Sequence, residues 1–250
     1  SGLMHLVPAE TNTTPARSVA GMCDHPCAMA LYSAIVTALY KRERTGKGSH
    51  VSSNLMANGV WAGGVLAQAK LCDAKFQERR PRERALNAVT NHYRCRDGRW
   101  LILSLLSEEK QWPILARVMG REDLVTDPRF ATKKDRHARS LELIKIFDET
   151  FATKNLAEWR KILDGNGLVF GVVGILDDLP TDQQMIDNDV LVPFDGDTML
   201  TVNSPIWVDG STKVRPRLPP AVGQHSDDIL RSAGYGEAEI KQLRAAGTVG

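Results

Sequence analysis

The stretch from Cys27 to Tyr40 constrains this chain more than any other feature: it is almost wholly apolar, interrupted only by Ser33 and Thr37. It is too short to span a bilayer. Ala28, Leu31, Tyr32, Ile35, Val36 and Leu39 place apolar groups around most of a helical barrel, so the pattern predicts a buried, central helix over Pro26 to Arg44. His25 stands where an N-cap is expected, with Pro26 at the favoured first helical position. Lys41-Arg42-Glu43-Arg44-Thr45-Gly46 puts cations in the last turn and a glycine at the stop. With 250 residues, 42% of them apolar, the chain can bury a helix of this kind in one or two domains. Lys plus Arg is 32 and Asp plus Glu is 30, a net charge of +2, which carries no global signature of a nucleic-acid partner.

Beyond this helix the pattern is mixed α/β. Ser1 to Gly21 reads as loop, punctuated by Pro8, Pro15 and Gly21. Gly48 to Ser53 predicts a short strand and Leu55 to Ala69 a second helix. The charged run from Lys70 to Arg84 predicts an exposed connector. Asn91 to Cys95 and Arg99 to Leu106 predict two strands joined at Asp97-Gly98, a hairpin signal. Helices are expected over Glu108 to Met119, Arg139 to Phe151 and Leu156 to Leu163. A strand is expected over Leu168 to Ile175, and a short helix over Asp182 to Asn188. Val190 to Val208 reads as β. Ser226 to Ser232 and Glu237 to Ala246 read as small amphipathic helices.

Asp24 follows a glycine-bearing loop and precedes the apolar helix. Backbone N–H groups and the positive end of the dipole favour negative charge at a helix start. A positioned carboxylate there serves equally as a capping group or as a nucleophile or general base. Arg79, Arg80, Arg82 and Arg84 suit either phosphate contact or a solvated linker. For Lys41, Arg42, Arg44 and Lys47, helix termination is a sufficient explanation. No nucleotide-binding glycine loop, HExxH helix or nucleophile-elbow motif is present. The four cysteines, Cys23, Cys27, Cys72 and Cys95, match no zinc spacing. That pattern predicts reduced thiols in a cytoplasmic protein without a metal. Ser1-Gly2-Leu3-Met4-His5 has no basic n-region, so no signal peptide is expected, and no membrane partner either.

Four segments in order carry a family likeness. Cys23-Asp24-His25-Pro26, continuing through Ala28 to Ile35 and on to Lys41-Arg42-Glu43-Arg44-Thr45-Gly46-Lys47-Gly48, resembles the family III CoA-transferases, which include formyl-CoA and carnitine-CoA transferases and α-methylacyl-CoA racemase. Asn91-His92-Tyr93-Arg94-Cys95-Arg96-Asp97-Gly98-Arg99-Trp100 is similar to that family's entry into its small domain. Asp127-Pro128-Arg129-Phe130 matches a second motif. Gly223-Gln224-His225-Ser226-Asp227-Asp228-Ile229-Leu230 resembles the C-terminal Gly-x-His-Thr-x-x-Ile-Leu signature, with Ser226 in the Thr position.

The resemblance implies a Rossmann-like large domain plus a small α/β domain, in an interlocked homodimer. The large domain would take residues 1–58 and 190–250, the small domain 91–179, with linkers at 59–90 and 180–189. Asp24 matches the catalytic aspartate. In the transferases this carboxylate attacks an acyl-CoA thioester, gives an acyl-aspartyl anhydride, and exchanges CoA with a carboxylic acid, in a site shielded from water. Arg79, Arg80 and Arg82 become candidate contacts for CoA phosphates. Two rivals are an α-methylacyl-CoA racemase and a truncated, non-catalytic fragment, because family chains extend further at the N-terminus and Ser1-Gly2-Leu3-Met4 resembles the middle of their first domain. The family's Gly-rich loop over the aspartate has no clear match, since Gly63-Gly64 falls inside a predicted helix.

Overall fold

The computed structural model describes residues 3–8, 10, 13–76 and 79–249. Ser1, Gly2, Thr11 and part of the predicted N-terminal loop lie outside them. The chain divides into two units, one ending at Val173 and one beginning at Gly174. The first holds α1 (Leu3–Leu6), α2 (Asp24–Thr45), α3 (Leu55–Ala62), α4 (Gly64–Leu71), β1 (His92–Arg94) and β2 (Trp100–Leu103). It continues with α5 (Glu108–Val118), α6 (Asp123–Thr126), α7 (Lys133–Ala138), α8 (Ser140–Phe151), α9 (Leu156–Gly165) and β3 (Phe170–Val172). The second holds α10 (Gln183–Asp187), the antiparallel pair β4 (Leu191–Pro193) and β5 (Leu200–Val202), then α11 (Ser226–Ser232) and α12 (Glu237–Ala245).

The core lies between Ala85 and Phe170. β1, β2 and β3 form an antiparallel sheet in that order, with Tyr93 opposite Leu101 and Leu101 opposite Val172. Strand alternation sends Tyr93, Leu101 and Leu103 inward. The turn works as its sequence predicts. Gly98 sits at φ +80, its N–H donates to the Cys95 carbonyl at 3.0 Å, and Cys95 N–H donates to Arg99 O at 2.8 Å. Helices α8 and α9 bury one stripe each, Leu143, Ile144, Phe147 and Phe151 from the first and Trp159 and Leu163 from the second. Their aromatic rings interlock: Phe151 stacks on Tyr93 at 5.1 Å and meets Trp159 edge-on at 4.9 Å, geometries that add to area burial.

A buried ion pair penetrates this core. Arg136 of α7 donates through Nε to Glu108 Oε1 at 2.7 Å and through Nη1 to Phe130 O at 2.9 Å. Both charged side chains are almost fully buried, as burying charge requires a partner.

Several expectations need correction. The apolar helix forms, but none of its 22 residues is buried. Ile35, Val36, Leu39 and Tyr40 are exposed, so α2 is not central in this structure. Periodicity reports which residues could be buried; burial also needs a facing element, and among the described residues α2 packs chiefly on α3. The helix begins at Asp24, so His25 is its second residue and not its cap; Cys23 is the cap position and makes no side-chain capping bond. Gly48 to Ser53 has no strand, because a strand requires a pairing partner. The predicted helix over Leu55 to Ala69 breaks at Gly63 into α3 and α4, consistent with the low helical preference of glycine. The Lys70–Arg84 connector is not uniformly exposed: the Arg82 side chain is only 20% exposed.

All four cysteines are unpaired thiols. Burial pushes the Cys95 thiol up to about 11, whereas Cys72 is exposed at the end of α4. The thiolate is the reactive form, so at pH 7.5 only roughly one Cys95 in a few thousand is ionised. Iodoacetamide is expected to label Cys72 readily and Cys95 last, with Cys95 labelling rising as pH approaches 11. Peptide mapping by mass spectrometry checks the order; early labelling of Cys95 at pH 7.5 would contradict its packing.

Candidate active site

The loop before α2 curls around a concavity of about 590 Å³, lined among others by Arg17, Val19, Gly21, Met22 and Asp24. Gly21 makes the curl possible. Its φ is +76, and a Cβ there would lie 2.8 Å from His25 Cδ2 and 2.9 Å from His25 Nε2. The left-handed backbone and the imidazole together require a residue without a side chain. His25 N–H then donates to Gly21 O at 3.2 Å, and Cys27 N–H to Cys23 O at 3.1 Å, which starts the helix. Pro26 falls in the first turn, where its missing N–H costs nothing.

Asp24 is thus the first helical residue and a wall of this concavity. Among the described residues its carboxylate has no ion pair and no side-chain hydrogen bond. The capping role is not what this side chain performs. An unengaged carboxylate at the positive end of a long helix can accept a metal, a proton or an acyl carbon. The side chain is exposed, so the expected shielding from water is absent in this structure, for the reason that leaves α2 uncovered. Arg17 shares the concavity and, like Asp24, is exposed. It was not singled out from the sequence, where an arginine in a loop carries no distinguishing pattern.

The structure separates the three candidate phosphate contacts. Arg79 donates to His5 O at 2.7 Å. Arg80 is exposed. Arg82 is drawn into the fold, where Nη2 donates to both carboxylate oxygens of Asp148 at 2.7 Å. Burial raises the Asp148 carboxyl above its ordinary range, against the opposing pull of Arg82. Arg84, the fourth cation of the run, pairs with Glu10. Arg82 lines a cavity, and it is not the concavity of Asp24.

The remaining motifs have local structural work. Asp127 accepts from Arg129 N–H at 2.9 Å and pairs with its guanidinium, which delivers Phe130 to the core. Gly46, at φ +69, donates its N–H to Arg42 O and ends α2 as the termination signal implied. His225 occupies the cap position of α11. Among the described residues no cluster of His, Cys, Asp and Glu could hold a metal ion, and no helix is long and apolar enough to cross a membrane.

The sequence profile of the CoA-transferase family III matches residues 1–226. The chain is 31% identical over 242 residues to the (R)-2-hydroxy-4-methylpentanoate CoA-transferase of Clostridioides difficile, covering 94% of this chain and 59% of that protein. It is 26% identical over 253 residues to the succinyl-CoA:glutarate CoA-transferase of Mus musculus, covering 57% of that protein. The fold is similar to the crystal structure of a CAIB/BAIF family protein from Brucella suis. The TM-score is 0.79 at 21% identity, over 92% of this chain and 60% of that one. The chain therefore spans less than two thirds of the length of these relatives. A match that runs through the Asp24 loop, the β1–β2 hairpin and the Asp127 motif makes this chain a member of CoA-transferase family III.

Proposed function

We propose that this chain serves transfer of CoA from an acyl-CoA to a small or medium carboxylic acid, with Asp24 as the nucleophile. The observation that carries the reading is the Asp24 carboxylate, without a side-chain partner among the described residues, at the start of α2 and on the wall of a concavity. One Asp24 oxygen attacks the thioester carbonyl; the C–S bond breaks, CoA thiolate departs, and an acyl-aspartyl anhydride remains. The thiolate then attacks the aspartyl carbonyl of the anhydride, releasing the first acid and leaving an aspartyl-CoA thioester. The acceptor carboxylate attacks that thioester, expels CoA thiolate again and forms a second anhydride. Attack of the thiolate on its acyl carbonyl gives the new acyl-CoA and frees Asp24. Donor and acceptor leave balanced, with no redox step.

An anhydride must be kept from water, so the exposed face of α2 has to be covered during turnover. The interlocked homodimer and the Rossmann-like large domain, built from residues 1–58 and 190–250 beside a small domain at 91–179, are the proposed cover. The exposed apolar residues of α2, α3 and α4 support this, because bare apolar faces of this kind mark interaction surfaces. The Arg79, Arg80 and Arg82 run is proposed to meet CoA phosphates, with exposed Arg80 best placed to do so. Cytoplasmic location fits the four unpaired thiols.

The test is to incubate the protein with an acyl-CoA and an isotopically labelled acceptor acid. Label in the thioester is the expected result. Exchange of the α-proton with solvent, without label transfer, would replace this reading by racemisation. Neither reaction, together with no CoA binding by calorimetry, would leave a non-catalytic chain.

A further inference from the structure

A second concavity, of about 540 Å³, lies between the β1–β2 hairpin and α8. Three arginines, Arg82, Arg94 and Arg96, line it together with Trp100, Asp148 and Ala152. It shares no lining residue with the Asp24 concavity.

Two of the three cations are fixed in place. Arg82 is held by Asp148, and its guanidinium lies 5.6 Å from the Tyr93 ring centroid and 5.7 Å from that of Trp100. Arg96 donates to Asn155 Oδ1 at 3.0 Å, Thr153 O at 3.2 Å and Glu158 Oε2 at 3.0 Å. The third is different. Arg94 pairs across the strands with Trp100, and its Nη2 reaches over the turn, 3.3 Å from where a Cβ of Gly98 would stand. Among the described residues no carboxylate or carbonyl accepts from its guanidinium. Asp148 and Glu158 offset Arg82 and Arg96, which leaves exposed Arg94 as the lining arginine without a carboxylate partner among the described residues.

We propose that this cavity binds a phosphate monoester. A planar guanidinium fork with free donors suits a tetrahedral oxyanion, and prepositioned neighbours lower the cost of ordering the site. The volume exceeds what a bare phosphate needs and falls in the range of small-molecule pockets. Trp100 and Ala152 give the organic body of the ester an apolar wall. The ester comes either from a free phosphorylated metabolite such as a nucleotide or from the 3′-phosphate end of CoA. Only the second source rests on the transferase reading.

Calorimetric titration of the full chain with AMP, in the absence of any acyl-CoA, tests the site apart from turnover. Saturable binding is expected, weakened at least tenfold by Arg94→Ala and less by Arg94→Lys, with the melting temperature of both variants unchanged. AMP should bind at least tenfold more tightly than inorganic phosphate. No saturable binding, or equal binding by wild type and Arg94→Ala, overturns the site; equal affinity for phosphate and AMP overturns the ester. Displacement of AMP by CoA assigns the source to CoA, and its absence assigns a separate ligand.

Discussion

Asp24→Ala is expected to lower the rate of CoA transfer by roughly a thousandfold or more, the scale of losing a covalent nucleophile, while the thermal melt stays where it is. The first half rests on the proposed nucleophile; the second follows from the geometry. The carboxylate holds nothing together: it is exposed and makes no side-chain capping bond, so its removal falls among surface changes worth about ±0.5 kcal/mol. Asp24→Asn separates charge from shape. The amide keeps the size of the side chain but lacks the carboxylate oxygen proposed to attack the thioester, so it should be as inactive as alanine. Steady-state label transfer beside a calorimetric melt reads both effects. Substantial turnover by Asp24→Ala would show that another group forms the covalent bond.

Arg136→Ala is expected to destabilise the first unit by about 3–5 kcal/mol, as breaking one partner out of a buried ion pair does. The substitution leaves the Glu108 carboxylate buried, with His137 at 3.2 Å as its remaining side-chain partner among the described residues. It removes the donors to Phe130 O and Ala131 O, and it takes the guanidinium from the Trp112 ring, 5.0 Å away. The diagnostic is the double change Glu108→Leu with Arg136→Met. Removing both charges spares the unpaired-ion penalty, and well-packed apolar replacements of buried pairs are often neutral or stabilising. Urea unfolding of the two single variants and the double variant should show the double as more stable than either single. If Arg136→Ala melts like the wild type, the charge is not buried as drawn.

The proposed nucleophile and the structural charge are thus opposites in placement. Asp24 has no side-chain partner among the described residues, whereas Arg136 is held by Glu108 and by the Phe130 carbonyl. The same contrast divides the arginines near residue 80. Arg82 looks like its neighbours in sequence, yet its acceptor Asp148 is 66 positions away. A run of arginines advertises positive charge but not which of them a distant carboxylate will claim.

What the order of residues determined by itself was local. Asp-Gly between apolar runs makes the β1–β2 hairpin because glycine supplies a positive φ. Apolar spacing at helical period made α8 and α9, and placed Asp24 at a helix start, to within a few residues. Motif order also carried the family likeness. Tertiary structure alone decided which faces are covered. It left α2 bare despite an apolar barrel, buried Arg136 against Glu108, and gathered Arg82, Arg94 and Arg96 around one cavity. The physical reason is one of range. Backbone preferences act within a few residues, whereas burial and charge pairing depend on which distant surface arrives to face a side chain, and that is a property of the whole packing.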